Sequence, residues 1–152
     1  MSAFKILLVD DDPQSLDSTR RILEHSEYSV DVASSGLVAI DRLKQGLKPD
    51  LIVTDVRMPG MNGMEFVEAY QKLGYDIPFV VMTALGQVQD AVWAMKAGAV
   101  DFLLKPFKRH QLLDAVAQIQ KLKAAPSLGA SQIKELVGSS RKVRELQLLF
   151  EQ

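Results

Sequence analysis

Oxygen- and nitrogen-bearing side chains follow directly on four short apolar runs of this 152-residue chain. Asp10, Asp11 and Asp12 follow Ile6-Leu7-Leu8-Val9. Asp55 follows Leu51-Ile52-Val53-Thr54. Thr83 follows Phe79-Val80-Val81-Met82, and Lys105 ends the run that starts at Val100. If these runs are parallel strands of one open sheet, the carboxylates, the hydroxyl and the ammonium arrive at its carboxyl edge, where such sheets form their sites. Carboxylates held a few ångströms apart repel one another, and a divalent cation relieves the repulsion. An all-oxygen donor set suits Mg²⁺ or Mn²⁺. A carboxylate can attack phosphorus to give an acyl phosphate. The metal and an ammonium then neutralise charge on the transferring oxygens. Each residue also has a plainer reading. The acidic triplet suits a solvated helix start, Thr83 suits a cap for the helix that follows, and Lys105 suits the surface.

The elements that must position these groups alternate regularly. Pro13 is suited to a first helical turn, and Leu16, Thr19, Ile22 and Leu23 continue as a stripe. Residues 28–33 alternate as a strand with one wetter face. Val38, Ile40 and Leu43 support a second helix ending near Gly46. After the run at 51–54, residues 58–63 carry loop chemistry. A third helix is predicted from Met64 to Leu73, closed by Gly74. A fourth carries Val88, Ala91, Val92 and Met95 on one face and ends at Gly98, with Trp93 off that face. A last strand over Val100–Leu104 precedes a fifth helix over Arg109–Lys123 with the stripe Leu112, Val116, Ile119 and Leu122. Five strand–helix units predict a doubly wound, five-stranded parallel sheet covered on both faces, with unbroken apolar runs at 6–9, 51–53 and 79–82. Residues 4–123 form this domain. Residues 124–131 resemble a linker, and the apolar spacing beyond suggests one or two short helices, a C-terminal helical linker.

Composition narrows the function. Hydrophobic residues make up 47% and charged residues 24% of the chain, a globular profile. No apolar run approaches the roughly 20 residues of a bilayer span. The start shows no signal peptide, so the expectation is a cytoplasmic protein without a membrane partner. There is no cysteine and only His25 and His110 as imidazoles, which excludes thiol chemistry and makes a histidine metal site a poor fit. Residues 1–107 hold 10 basic against 15 acidic side chains and residues 108–152 hold 8 against 4. That asymmetry is too interrupted for direct nucleic-acid binding.

The segments Lys5–Asp12, Asp55–Gly63, Thr83-Ala84 and Gly98–Phe107, in this order, resemble a response-regulator receiver domain of the CheY-like fold. The resemblance implies that Asp55 is the phosphoacceptor. It implies Mg²⁺ (or Mn²⁺) held by Asp10, Asp11, Asp55 and the backbone carbonyl of Arg57. Thr83, Ala84 and Lys105 would bind the phosphoryl group, Phe102 would be the aromatic switch, and Gly63 would serve backbone geometry. It implies a cis peptide before Pro106, and a sensor histidine kinase as partner. Such a module is a signalling switch rather than an enzyme, with slow autodephosphorylation at most. Asn62 departs from the commoner Asp, and Asp12 is a third acid with no role in the pattern.

Residues 135–146 are similar to the start of the AAA+ ATPase domain of NtrC-type sigma-54-dependent activators, though no GxxxxGK[ST] occurs here. On that resemblance, residues 124–152 are linker and the start of an ATPase domain, and DNA is reached only through domains absent from this chain. Because the fifth helix leads directly into the linker, a homodimer paired receiver to receiver or linker to linker is also expected. The alternative is a stand-alone receiver acting as a phosphorelay or docking protein. A haloacid-dehalogenase-type phosphatase fits poorly because residue 57 is Arg and no Asp-x-Asp follows the first strand. A flavodoxin-like cofactor binder fits poorly because three acids stand where a Ser/Thr/Gly phosphate loop belongs.

Overall fold

A computed structural model describes residues 3–84, 86–123 and 133. The chain divides into two compact units, Met1–Ile77 and Pro78–Gln152. In the first unit β1 (Lys5–Val9), α1 (Pro13–His25), β2 (Ser29–Ala33), α2 (Gly36–Lys44), β3 (Leu51–Asp55) and α3 (Gly63–Lys72) alternate. The second holds β4 (Phe79–Ala84), α4 (Val88–Lys96), β5 (Asp101–Lys105) and α5 (Arg109–Lys123). All five strands belong to a single five-stranded sheet.

In the first unit β1 pairs in parallel with β2 on one side and β3 on the other, with Val9 opposite both Ala33 and Thr54. The chain therefore reverses its winding direction between β1 and β3, the place where open parallel sheets leave a crevice beyond the strand ends. Both flanking strands are buried on both faces. Ile6 to Val9 and Leu51 to Val53 are fully inaccessible to solvent, which is why they read as unbroken apolar runs. β2 differs. It pairs with β1 alone among the described residues, and Val30, Asp31 and Val32 are only half-buried. In the second unit β4 and β5 pair in parallel, Thr83 opposite Leu104 and Ala84 opposite Lys105.

Helix boundaries follow local chemistry. Ser35 caps α2 by accepting from the Val38 N–H. Asn62 and Glu65 form a reciprocal capping box at α3, so that helix begins at Gly63, one residue before the expected Met64. α5 spans the expected residues, with Leu112, Val116 and Ile119 buried and Leu122 half-buried. Three expectations are corrected. The buried face of α2 is Gly36, Ala39, Ile40 and Leu43, while Val38 is exposed, because a 100° step per residue puts 36, 40 and 43 on one face and turns 38 away. β5 runs one residue later than predicted, and only Leu103 in it is fully buried. Thr83 does not cap α4, whose N-cap is Gln87 with no side-chain cap bond. Trp93 lies exposed on α4.

Tyr70, wholly buried on α3, donates its hydroxyl to the Ile77 carbonyl at 2.8 Å. Burial, with Asp76 adding to it, pushes its phenol far above the ordinary value of 10.0. The folded state therefore keeps this proton where the unfolded chain loses it. Stability is intact below the ordinary phenol value and falls as pH rises above it, by up to about 1.4 kcal/mol per pH unit. Tyr70→Phe is expected to cost about 1 kcal/mol at neutral pH and to flatten the alkaline decline. Urea midpoints of both proteins, taken on either side of the ordinary phenol value, check this; an unchanged alkaline slope in the variant would assign the decline to other groups.

Candidate functional site

Asp10 is the first residue past β1. Its N–H donates to the Ala33 carbonyl at 3.1 Å, so the backbone is still tied to the neighbouring strand as the ladder ends. Its side chain has no solvent exposure, and one carboxylate oxygen accepts the Asp12 N–H at 3.0 Å. Asp11 is exposed and Asp55, the last residue of β3, is half-buried. One carboxylate oxygen from each of Asp10, Asp11 and Asp55 can be chosen so that all lie within 4.8 Å of one another. The winding reversal between β1 and β3 brings them together, since the strand ends are adjacent although 45 residues separate Asp10 from Asp55.

Asp12 has a separate role. It is the N-cap of α1, accepting the Gln14 N–H at 3.2 Å, with Pro13 in the first helical turn. The Asp-Pro dipeptide ahead of a periodic apolar stripe carries this signal in the sequence.

The loop after β3 is held close to the acids. The Arg57 N–H donates to the Asp55 carboxylate at 3.4 Å, and the Gly63 N–H donates to the Val56 carbonyl at 2.8 Å. A Cβ on residue 63 would stand 2.1 Å from the Asp55 carbonyl oxygen. Only glycine permits this approach.

The other candidates belong to the second unit. Thr83, 1% exposed, donates its hydroxyl to the Gln87 carbonyl at 3.3 Å. Ala84 ends β4 and is exposed; Phe102 lies half-buried on β5; Lys105 ends β5 half-buried, and the Lys105–Pro106 peptide is cis. Phe102, Leu104 and Lys105 line a groove of about 720 Å³ together with Gln111, Asp114 and Gln118 of α5. The tail resemblance at residues 135–146 and the linker at 124–131 lie outside the described residues.

An open parallel sheet with a carboxylate cluster at its winding reversal defines an α/β module able to hold a hard cation. The family model for the response regulator receiver domain matches residues 6–117, and the chain belongs to that family. Relatives named response regulator MprA include one from Mycobacterium sp. (strain KMS), 40% identical over 109 residues that cover 72% of this chain and 47% of the relative. The chain thus spans about half the length of the curated relatives it matches. Among solved structures, FixJ-N superposes with a TM-score of 0.73 at 32% identity, covering 80% of this chain and 96% of that one. A response regulator receiver domain protein from Clostridium thermocellum gives 0.73 at 28% identity, covering 79% and 96%. The five-stranded parallel sheet with five helices matches the CheY-like receiver fold. Among the described residues no helix is long and apolar enough to cross a membrane.

Proposed function

We propose that this receiver domain is a phosphorylation-dependent switch in which Asp55 takes a phosphoryl group from a phosphohistidine of a sensor kinase, with Mg²⁺ (or Mn²⁺) as the required ion. The observation that carries the reading is the gathering of Asp10, Asp11 and Asp55 at the β1–β3 strand ends. The donor set fits the ion: every candidate ligand is oxygen, three carboxylates share a small space, and one of them is buried. Hard divalent cations are held in this way. Asp10, Asp11, Asp55 and the Arg57 carbonyl would hold it. When bound, the ion offsets negative charge on the acids and on the transferring oxygens.

An Asp55 carboxylate oxygen forms a bond to phosphorus as the phosphorus–nitrogen bond of the donor breaks, and the imidazole leaves with the electron pair and takes up a proton. Thr83, Ala84 and Lys105 are assigned to bind the phosphoryl oxygens, and Phe102 to respond to the movement of Thr83. The Thr83 hydroxyl must first release the Gln87 carbonyl, a long 3.3 Å bond and so a weak tether. The modification shifts the resting and active populations only by its differential stabilisation of the two, and about 5.5 kcal/mol carries 1:99 to 99:1. No turnover of a separate substrate is involved.

Output to a sigma-54-dependent AAA+ activator rests on the resemblance of residues 135–146, and homodimer formation, receiver to receiver or linker to linker, rests on the sequence of the fifth helix leading directly into the linker. A reading frame that continues into GxxxxGK[ST] supports it; one that ends without it favours the stand-alone relay.

Incubation with Mg²⁺ and acetyl phosphate, followed by intact mass, tests the central claim. The expected result is a gain of one phosphoryl group that EDTA abolishes. An unmodified mass in Mg²⁺, or modification that persists in EDTA, refutes it.

A further inference from the structure

Gly36, the first residue of α2, is buried against a methionine of the β3–α3 loop. A Cβ at position 36 would stand 2.9 Å from Met61 Cγ, 3.0 Å from its Sδ and 3.1 Å from its Cβ. Real Cβ atoms hardly ever come so near. The last atom is fixed to the backbone, so a rotation at the far end of the side chain cannot relieve the crowding. Met61 therefore sits directly on the Gly36 backbone, in a seat that exists because position 36 has no side chain.

The two ends of this contact lead to the acids. On one side Gly36 follows Ser35, which caps α2, and Ala33, whose carbonyl accepts the Asp10 N–H. On the other side Met61 precedes the capping residue Asn62 and Gly63, which lies against the Asp55 carbonyl and donates to Val56. The β1–β3 ladder pairs Val9 with Thr54 as its last step, so Asp10 and Asp55 stand just beyond it. A second circuit closes around them: Asp10, Ala33, Gly36, Met61, Gly63, Asp55.

We infer that the Gly36–Met61 contact is a positioning device that fixes the spacing of the carboxylates and of the Arg57 carbonyl for the cation. The inference rests on the metal reading above. Partners one step removed from the ligands commonly set metal affinity by about 10- to 100-fold. The residues themselves touch no ion, and they act through the loop.

The test compares Gly36→Ala, Met61→Ala and the double variant with the unaltered protein. Two quantities are measured: Mg²⁺ affinity by calorimetry, and the exchange rate of the Gly63 amide in metal-free protein by NMR. Each single change is expected to weaken Mg²⁺ binding by about tenfold and to speed Gly63 exchange. The double variant is expected to be no worse than the weaker single one, since one contact is lost only once. Leu37→Ala, at the exposed neighbouring position, is expected to change neither quantity. Should Gly36→Ala fail to fold, Met61→Ala, which removes atoms rather than adding them, decides alone. Wild-type affinity together with wild-type exchange in Met61→Ala overturns the inference, as do effects that multiply in the double variant. If the unaltered protein takes up no Mg²⁺, the metal reading falls, and the exchange data alone then show whether the loop is held as described.

Discussion

Asp55→Asn protein incubated with Mg²⁺ and acetyl phosphate is expected to stay at its unmodified mass while the parent gains a phosphoryl group. The substitution keeps the size and shape of the side chain, and the amide oxygen can still accept the Arg57 N–H that the carboxylate accepts at 3.4 Å. Fold and loop should therefore be preserved. Two things are lost. An amide is not a nucleophile towards phosphorus at neutral pH, and one of the three charges gathered within 4.8 Å is removed. The expected effect on phosphorylation is total, while thermal stability should change little or rise, because repulsion among the acids is relieved. Uptake of phosphate by the variant at the parental rate would place the acceptor elsewhere and dissolve the reading of the site.

Gly63→Ala carries the largest expected effect on stability. The added methyl would sit 2.1 Å from the Asp55 carbonyl oxygen and 3.0 Å from both the Asp55 carbonyl carbon and Val56 Cα. All three atoms are backbone, so no rotamer change offers an escape. Either the end of β3 or the first turn of α3 must move. Movement breaks the 2.8 Å bond from Gly63 to Val56 and disturbs the capping box of Asn62 and Glu65. A loss of about 3 kcal/mol or more is expected, measurable as a lower urea midpoint with an unchanged slope. The surviving folded protein should bind Mg²⁺ more weakly, because Asp55 lies on the displaced segment. A midpoint equal to that of the parent would show that the close approach carries no cost.

The parts of this molecule that could be read in its sequence are those governed by local patterns. β1 and β3 are unbroken apolar runs because they are covered on both faces, and α5 shows a clean apolar stripe between polar residues. The acids after β1 and β3 could be listed from those runs alone, since strand ends are where an open sheet exposes side chains. What escaped the sequence depended on contacts between distant segments or on a single step of register. Val38 and Ala39 differ by 100° around the helix, and only the packed structure shows which faces inward. The start of β5 at Asp101 follows from its pairing with Val80, a partner absent from the local pattern. Thr83 is followed by a helix and suits a cap, yet its hydroxyl donates to a carbonyl four residues on. Asp12 was legible in principle: three acids in a row invite one shared explanation, and the Asp-Pro pair pointed to another. The Gly36–Met61 contact joins residues 25 apart, and nothing in either segment announces it.

Asp31, placed at the centre of β2, has a consequence for life in a crowded solution. Among the described residues its strand pairs with β1 alone, which leaves one side as a sheet edge, and Val30 and Val32 flank it. Such a stretch invites a second molecule to add its own strand and start a stack. A charged group in the middle, kept half in water beside Arg42 at 3.8 Å, makes that addition costly. The ion pair is worth little to the fold. The place of Asp31 on the strand matters more: a charge on an edge strand is one of the devices that disfavour edge-to-edge association of sheets.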